Sequence, residues 1–250
     1  NNEISGPTIL TFLLDYFRKR KNYYSIRAVF IPETIGSIVY LSKKLPILKK
    51  NVIAGFNLSC LGDQRCYSFL PSRNGKTLSD RVSESVLKWT DKKYKKYSWL
   101  ERGSDERQYC SPGVDLPVAS VTRSKFGEYP EYHTSYDDFH RVVTPIGLLG
   151  SYELYIKLID AIQNNYYPKY KILCEPKLSK YNLYNPLRKN KYYKYSHKST
   201  ITDPIINILS YADGKNSLLD ISDKIKLPIW SLIDICDELY KKKLIKKIRI

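Results

Sequence analysis

The sequence predicts an α/β protein followed by a small helical unit. Three observations carry that reading. Short apolar runs alternate with helical stretches over the first two thirds of the chain, the last fifty residues switch to three helical segments with a basic, β-like tail, and 42% of the 250 residues are hydrophobic, enough for a sizeable core.

Residues 7–20 (PTILTFLLDYFRKR) predict a helix: Pro7 suits a first turn, Ile9, Leu13, Leu14 and Phe17 form an apolar stripe, and the basic end complements the helix dipole. Residues 26–31 (IRAVFI) predict a buried strand, which Pro32 and Glu33 end. Gly36-Ser37 open a second helix that Pro46 is expected to stop. Residues 52–61 predict another buried strand and 65–70 a short one; 77–92 predict a helix capped by Thr77 or Ser79. A further strand is expected over 116–122 (LPVASVT) and a long helix over 144–163. Such alternation argues for a mostly parallel central sheet.

The C-terminal residues follow another pattern. Asp203-Pro204 starts a helix that ends at Gly214, Ser217 caps a second, Pro228 begins a third, and KKIRI supplies a terminal strand. Three helices and a wing predict a winged helix. Its third helix would lie in the major groove of DNA, yet it presents Asp234, Asp237 and Glu238 and no basic residue before Lys241. Phosphates repel that surface, which points to protein contacts, including a homo-oligomer, rather than to DNA. The expected division is an α/β domain over 1–168, a basic connector over 169–198 and a winged helix over 199–250.

The formal net charge is +17. Nine Lys and Arg against one acid fall in 169–198, where Tyr192, Tyr193 and Tyr195 interleave with Lys191, Lys194 and Lys198. A solvated linker accounts for this stretch better than a nucleic-acid grip, because no nucleic-acid motif accompanies it. Cys60, Cys66, Cys110, Cys174 and Cys236 are odd in number and contain no CxxC pair, which excludes a disulfide framework and a thiolate zinc knuckle. No apolar run reaches the ~18 residues of a membrane span, and a cytoplasmic protein is expected. The chain lacks Met and opens inside what reads as a loop, so a fragment is expected.

Chemistry-bearing residues concentrate in three stretches. Pro32-Glu33-Thr34-Ile35-Gly36-Ser37 follows a strand, where a carboxylate suits a general base, although Glu33 equally suits a helix cap. Gly103 to Gly113 holds Asp105, Glu106, Arg107, Gln108 and Tyr109 in one glycine-bounded loop. Gly127 to Asp138 places His133 four residues before Asp137, a spacing that suits a metal ligand oriented by a carboxylate.

Taken in order, Glu-x-x-Gly-Ser, Ser-Asp-x-Arg-Gln-Tyr-x-Ser-Pro-Gly and Glu-Tyr-Pro-Glu-Tyr-His-Thr-Ser resemble a bacterial aminopeptidase-like family, a zinc-peptidase domain followed by a winged helix, often found in surface-polysaccharide loci. Ile4-Ser5-Gly6-Pro7, Cys174-Glu175-Pro176 and Leu183-Tyr184 extend the resemblance over essentially the whole chain. It implies a three-layer αβα domain, incomplete at its N-terminus, that hydrolyses an amide at a free amino end of a peptide or amino-acid-conjugated substrate. Mapped by resemblance, Glu33 is the general base, His133 a zinc ligand oriented by Asp137, and Asp105, Arg107 and Tyr109 line the substrate pocket. Asn2 stands where the family has an aspartate ligand, Thr34 where it has a second acid, and the first His ligand has no counterpart in the chain. At most one zinc is implied, weakly held, and impaired catalysis or a non-catalytic binding role with it.

Overall fold

Helices and strands alternate through the first unit, Asn1–Gln163, of the computed structural model, which describes residues 1–183 and 204–249. Helix α1 (Ser5–Arg18) buries Ile9, Leu13 and Phe17, the stripe expected from their spacing. Helix α2 (Ile35–Asn51) is followed by β1 (Gly55–Asn57), β2 (Ser68–Leu70), α3 (Leu78–Thr90), β3 (Lys95–Lys96), α4 (Glu106–Tyr109), β4 (Val118–Thr122) and α5 (Pro145–Asn164). Thr77 and Asp80 cap α3 reciprocally, each side chain bonding the other's backbone N–H.

The sheet order is β1-β4-β2-β3, with β1–β4 and β2–β3 parallel and β2–β4 antiparallel. All five residues of β4 are buried, as befits a central strand. The pleat assigns the faces. Gly55 and Asn57 are in register with Val118 and Ser120, and on that face Val118 packs with Leu41 and Leu48 of α2 and with Cys110 and Leu116. On the other, the Phe56 ring meets Tyr155 of α5 edge-on at 5.7 Å, and the Tyr155 hydroxyl donates to the Val121 carbonyl at 2.6 Å. Helices therefore cover both faces, the αβα layering expected.

Three expectations need correction. Residues 26–31 form no strand: among the described residues, nothing hydrogen-bonds to their backbone. Pro46 does not stop α2 but lies inside it. Pro46 is exposed, so only one backbone bond is lost, and Leu41 and Leu48, two turns apart on one face, hold both halves of the helix in the same apolar cluster. The strand expected over 52–61 shrinks to three half-buried residues, because the chain leaves the sheet at Leu58 to accommodate α1. There a Cβ on Gly6 would stand 2.0 Å from the Leu58 carbonyl oxygen.

The second unit, Asn164–Ile250, contains β5 (Tyr167–Tyr170), α6 (Pro204–Tyr211), α7 (Leu218–Ile225), α8 (Ile229–Lys241) and β6 (Ile245–Ile248). Strands β5 and β6 pair antiparallel from Tyr167↔Ile248 to Tyr170↔Ile245. That pairing draws Asn164–Tyr170 into the C-terminal unit, so the expected boundary at 168 moves to 163–164 and the first residues of the expected connector form a strand. The connector's Tyr192, Tyr193, Tyr195 and their lysines lie outside the described residues. Ser217 and Asp220 form the capping box of α7, and Pro228 is the N-cap residue of α8. Leu232, Ile235, Cys236 and Leu239 form the fully buried stripe of α8. On its other side Asp234 is exposed and Asp237 pairs with Lys247 of β6 at 2.6 Å.

Candidate functional site

The turn that follows Glu33 is fixed from a distant part of the chain. Thr34, the residue before α2, has φ 62°, a conformation that costs a β-branched residue energy. Two residues of the 103–113 loop hold it there. The Thr34 N–H donates to Asp105 Oδ1 at 2.8 Å, and Arg107 Nη2 donates to the Thr34 hydroxyl at 2.8 Å. Gly36 lets the helix start pass close over Ile31, since a Cβ there would stand 2.7 Å from the Ile31 Cβ. Glu33 itself is exposed at the head of this turn.

The 103–113 loop is in turn anchored by Glu106, which is 0% exposed. One carboxylate oxygen accepts from the N–H groups of Gly103 (2.9 Å) and Ser104 (3.0 Å). The other accepts from Asn57 Nδ2 of β1 and the Ser120 hydroxyl of β4, both at 3.1 Å. A buried charge with four donors is satisfied, and it ties the loop to two strands. Sequence reasoning passed over Glu106, which occupies the unspecified position of Ser-Asp-x-Arg; its signal was an acid between two other charged residues in a loop that had to touch the sheet.

The 127–138 stretch supplies Tyr129, Tyr132, His133 and Asp137. The exposed His133 has φ 58°, and its ring stacks on Tyr132 at 3.9 Å. Burial raises the Tyr132 phenol above its ordinary range, and the charges of Cys60, Glu33 and Glu3 push it further while Arg107 opposes them. Asp137 serves a different partner from the expected one. Its carboxylate accepts from the Tyr129 hydroxyl at 2.9 Å and from the Asn2 N–H at 3.0 Å, which fixes the segment before α1 rather than the His133 ring. Tyr109 packs, half-buried, beside the cluster of Leu41, Leu48 and Val118.

Asn2 is half-buried beside Ser59 and Cys60. Its amide oxygen accepts from the Ser59 hydroxyl at 3.2 Å and from the Cys60 thiol at 3.5 Å, and its amide nitrogen donates to Glu3 at 2.7 Å. Burial pushes the Cys60 thiol up to about 11, so it stays a protonated donor at neutral pH. The structure thus joins Asp105 and Arg107 to the turn after Glu33, Asn2 to Ser59 and Cys60, and His133 to Tyr132, while Asp137 supports the segment before α1. As a zinc centre this set does not fit. Among the described residues no three His, Cys, Asp or Glu side chains converge on one point, and the one neutral oxygen at the aspartate position is already hydrogen-bonded.

Residues 1–165 match the family described as a domain of unknown function, DUF4910. The chain belongs to that family. Behind the DUF4910 domain, residues 165–247 match a family described as a winged helix-turn-helix. The DUF4910 chain is 35% identical over 247 residues to a Clostridium acetobutylicum protein described as a polysaccharide biosynthesis protein with an aminopeptidase-like domain. That alignment covers 98% of this chain and 55% of the relative. A solved structure from Clostridium acetobutylicum, described as a peptidase, superposes with TM-score 0.86 at 34% identity, covering 99% of this chain and 54% of the other. The DUF4910 chain therefore spans about half the length of the relatives it matches. A peptidase-like α/β domain followed by a winged helix, expected from the three motifs, is the architecture found. No described helix is long and apolar enough to cross a membrane.

Proposed function

We propose that this chain forms the substrate-facing part of an aminopeptidase-like hydrolase that cleaves an amide beside a free amino group, on a peptide or amino-acid-conjugated substrate, within surface-polysaccharide assembly. The observation that carries the reading is the clamp of Asp105 and Arg107 on Thr34, which fixes the turn directly after Glu33. The relatives' descriptions as a peptidase and as a polysaccharide biosynthesis protein support it. Glu33 takes the proton of the attacking water, and Arg107 orients a carboxylate-bearing group of the substrate. Zinc would supply the Lewis acid in such a hydrolase, but the residues present do not make its site, so the chain by itself binds little zinc and turns over little substrate.

The test has two arms. Zinc measured on the purified chain is expected well below one equivalent, and one equivalent bound at micromolar zinc would overturn that part. The chain is then combined with the remainder of the Clostridium acetobutylicum relative and assayed on aminoacyl anilides. Hydrolysis should appear, and Glu33→Gln should abolish it; full activity in that variant would remove Glu33 from its role. Asn2, an amide where the resemblance implies an aspartate ligand, favours a second reading, a non-catalytic module that binds without cleaving, in which substrate shifts the resonances of Tyr132 and Arg107 but no product forms.

We place the winged helix in protein contacts, homo-oligomers included, because α8 offers Asp234 and an Asp237 already paired with Lys247. Retention of duplex DNA in a low-salt gel shift would overturn this.

A further inference from the structure

We infer that residues 25–31 are an open strand position, completed by a β-strand from the polypeptide that the relatives possess and this chain does not span. Four observations meet there. The segment carries an apolar run of strand type, IRAVFI. Its side chains alternate between half-buried and exposed from Tyr24 to Ala28, the period of a strand, although no ladder is present. Among the described residues nothing hydrogen-bonds to the backbone of Ser25–Ile31. Finally, an open groove of about 400 Å³ runs between Arg27–Phe30 and the α2 residues Tyr40, Lys44 and Ile47.

An unpaired row of backbone donors and acceptors is a template for strand addition. Apolar side chains beside it are open to solvent: Phe30 is 53% exposed and Ile35, at the start of α2, 72%. Arg27 and Lys44 line the groove, so the incoming strand is apolar with an acidic residue at its edge. The relatives identify the source. The chain matches them along 98–99% of its own length but covers only 55% and 54% of theirs, so a comparable length of polypeptide is present in them to occupy this position. The inference is independent of the hydrolase reading, since a strand can dock whether or not any amide is cleaved.

The probe is the part of the Clostridium acetobutylicum relative outside the matched stretch, produced as a separate polypeptide and mixed with the full chain. Amide hydrogen exchange at Ile26–Ile31 should be fast in the chain alone and slow about tenfold or more in the mixture. Ala28→Pro and Val29→Pro each remove one backbone donor where none is now bonded, so both variants should fold with unchanged circular dichroism. At least one of them should weaken the complex by about tenfold or more, because alternate amides face a neighbouring strand. The inference is overturned if no complex forms at micromolar concentration, if a complex forms without protecting 26–31, or if a second copy of this chain protects the same amides.

Discussion

The carboxylate of Asp105 accepts the backbone N–H of Thr34 at 2.8 Å, although 71 residues separate them. Asp105 is buried, and its bond offsets the cost of holding a threonine at φ 62°. Asp105→Ala should therefore destabilise the chain by about 1–3 kcal/mol, from a lost charged hydrogen bond and a released strained turn. Asp105→Asn keeps an acceptor and should cost less. Arg107→Ala, which removes an exposed contact to the same residue, should cost under about 1 kcal/mol. Urea denaturation of the three variants measures the order, and an Asp105→Ala protein as stable as Arg107→Ala would contradict the clamp.

Glu106 should be the least replaceable side chain of the 103–113 loop. Its four bonds leave four donors stranded if the carboxylate is removed, two of them main-chain N–H groups. Glu106→Ala is expected to cost about 3–5 kcal/mol, and Glu106→Gln less, because the amide keeps one acceptor while opposing a donor to a donor. Denaturation midpoints decide between them.

Close packing of α1 on the end of β1 leaves no space for a methyl group at Gly6. Gly6→Ala should destabilise by about 2 kcal/mol or more through overpacking against backbone. Gly75→Ala is the control: at φ 70° with open space around it, only the backbone cost of about 1 kcal/mol applies. Thermal melts that rank these two in the opposite order would refute the close approach.

The cysteines should separate by burial. Burial pushes the thiols of Cys60 and Cys236 up to about 11 and about 12, and that of Cys110 in the same direction, whereas Cys174 is exposed and Cys66 half-buried. Iodoacetamide at neutral pH should modify Cys174 first, Cys66 more slowly, and the other three only after unfolding. Peptide mass spectrometry reads the order directly.

Arg65 grips Glu131 with two nitrogens at 2.8 and 2.9 Å, and this hydrogen-bonded pair holds the Glu131 carboxyl below its ordinary 4.5. A depressed folded-state value means that the stabilisation is present above the unfolded value and disappears as pH falls through the folded one. Stability should therefore drop as pH falls below the ordinary carboxylate value of 4.5, and Arg65→Ala should flatten that limb without changing its neutral-pH slope. Identical acid limbs in the two proteins would show that the pair contributes nothing.

How much of this was legible in advance differs by element. The α1 stripe, the Thr77 and Ser217 caps, the β4 run and the three C-terminal helices follow from local spacing and capping chemistry, so they could be read residue by residue. The link between two of the three motifs is a tertiary fact: Asp105 and Arg107 both bond Thr34, 71 residues from Asp105. Asp137 turns to Tyr129 and Asn2 rather than to His133, because a carboxylate suits a metal site and a support alike and only its neighbours distinguish the two.

The sequence by itself determined the peptidase-like α/β class and the winged helix, because periodicity, caps and motif order are local properties of the chain. Only the tertiary structure decided that 26–31 stays unpaired, that α2 runs through Pro46 and that Glu106 anchors the central loop. Strand pairing, the packing that overrides a proline, and the four donors of a buried carboxylate all come from residues distant in sequence, and no local pattern specifies where those partners stand.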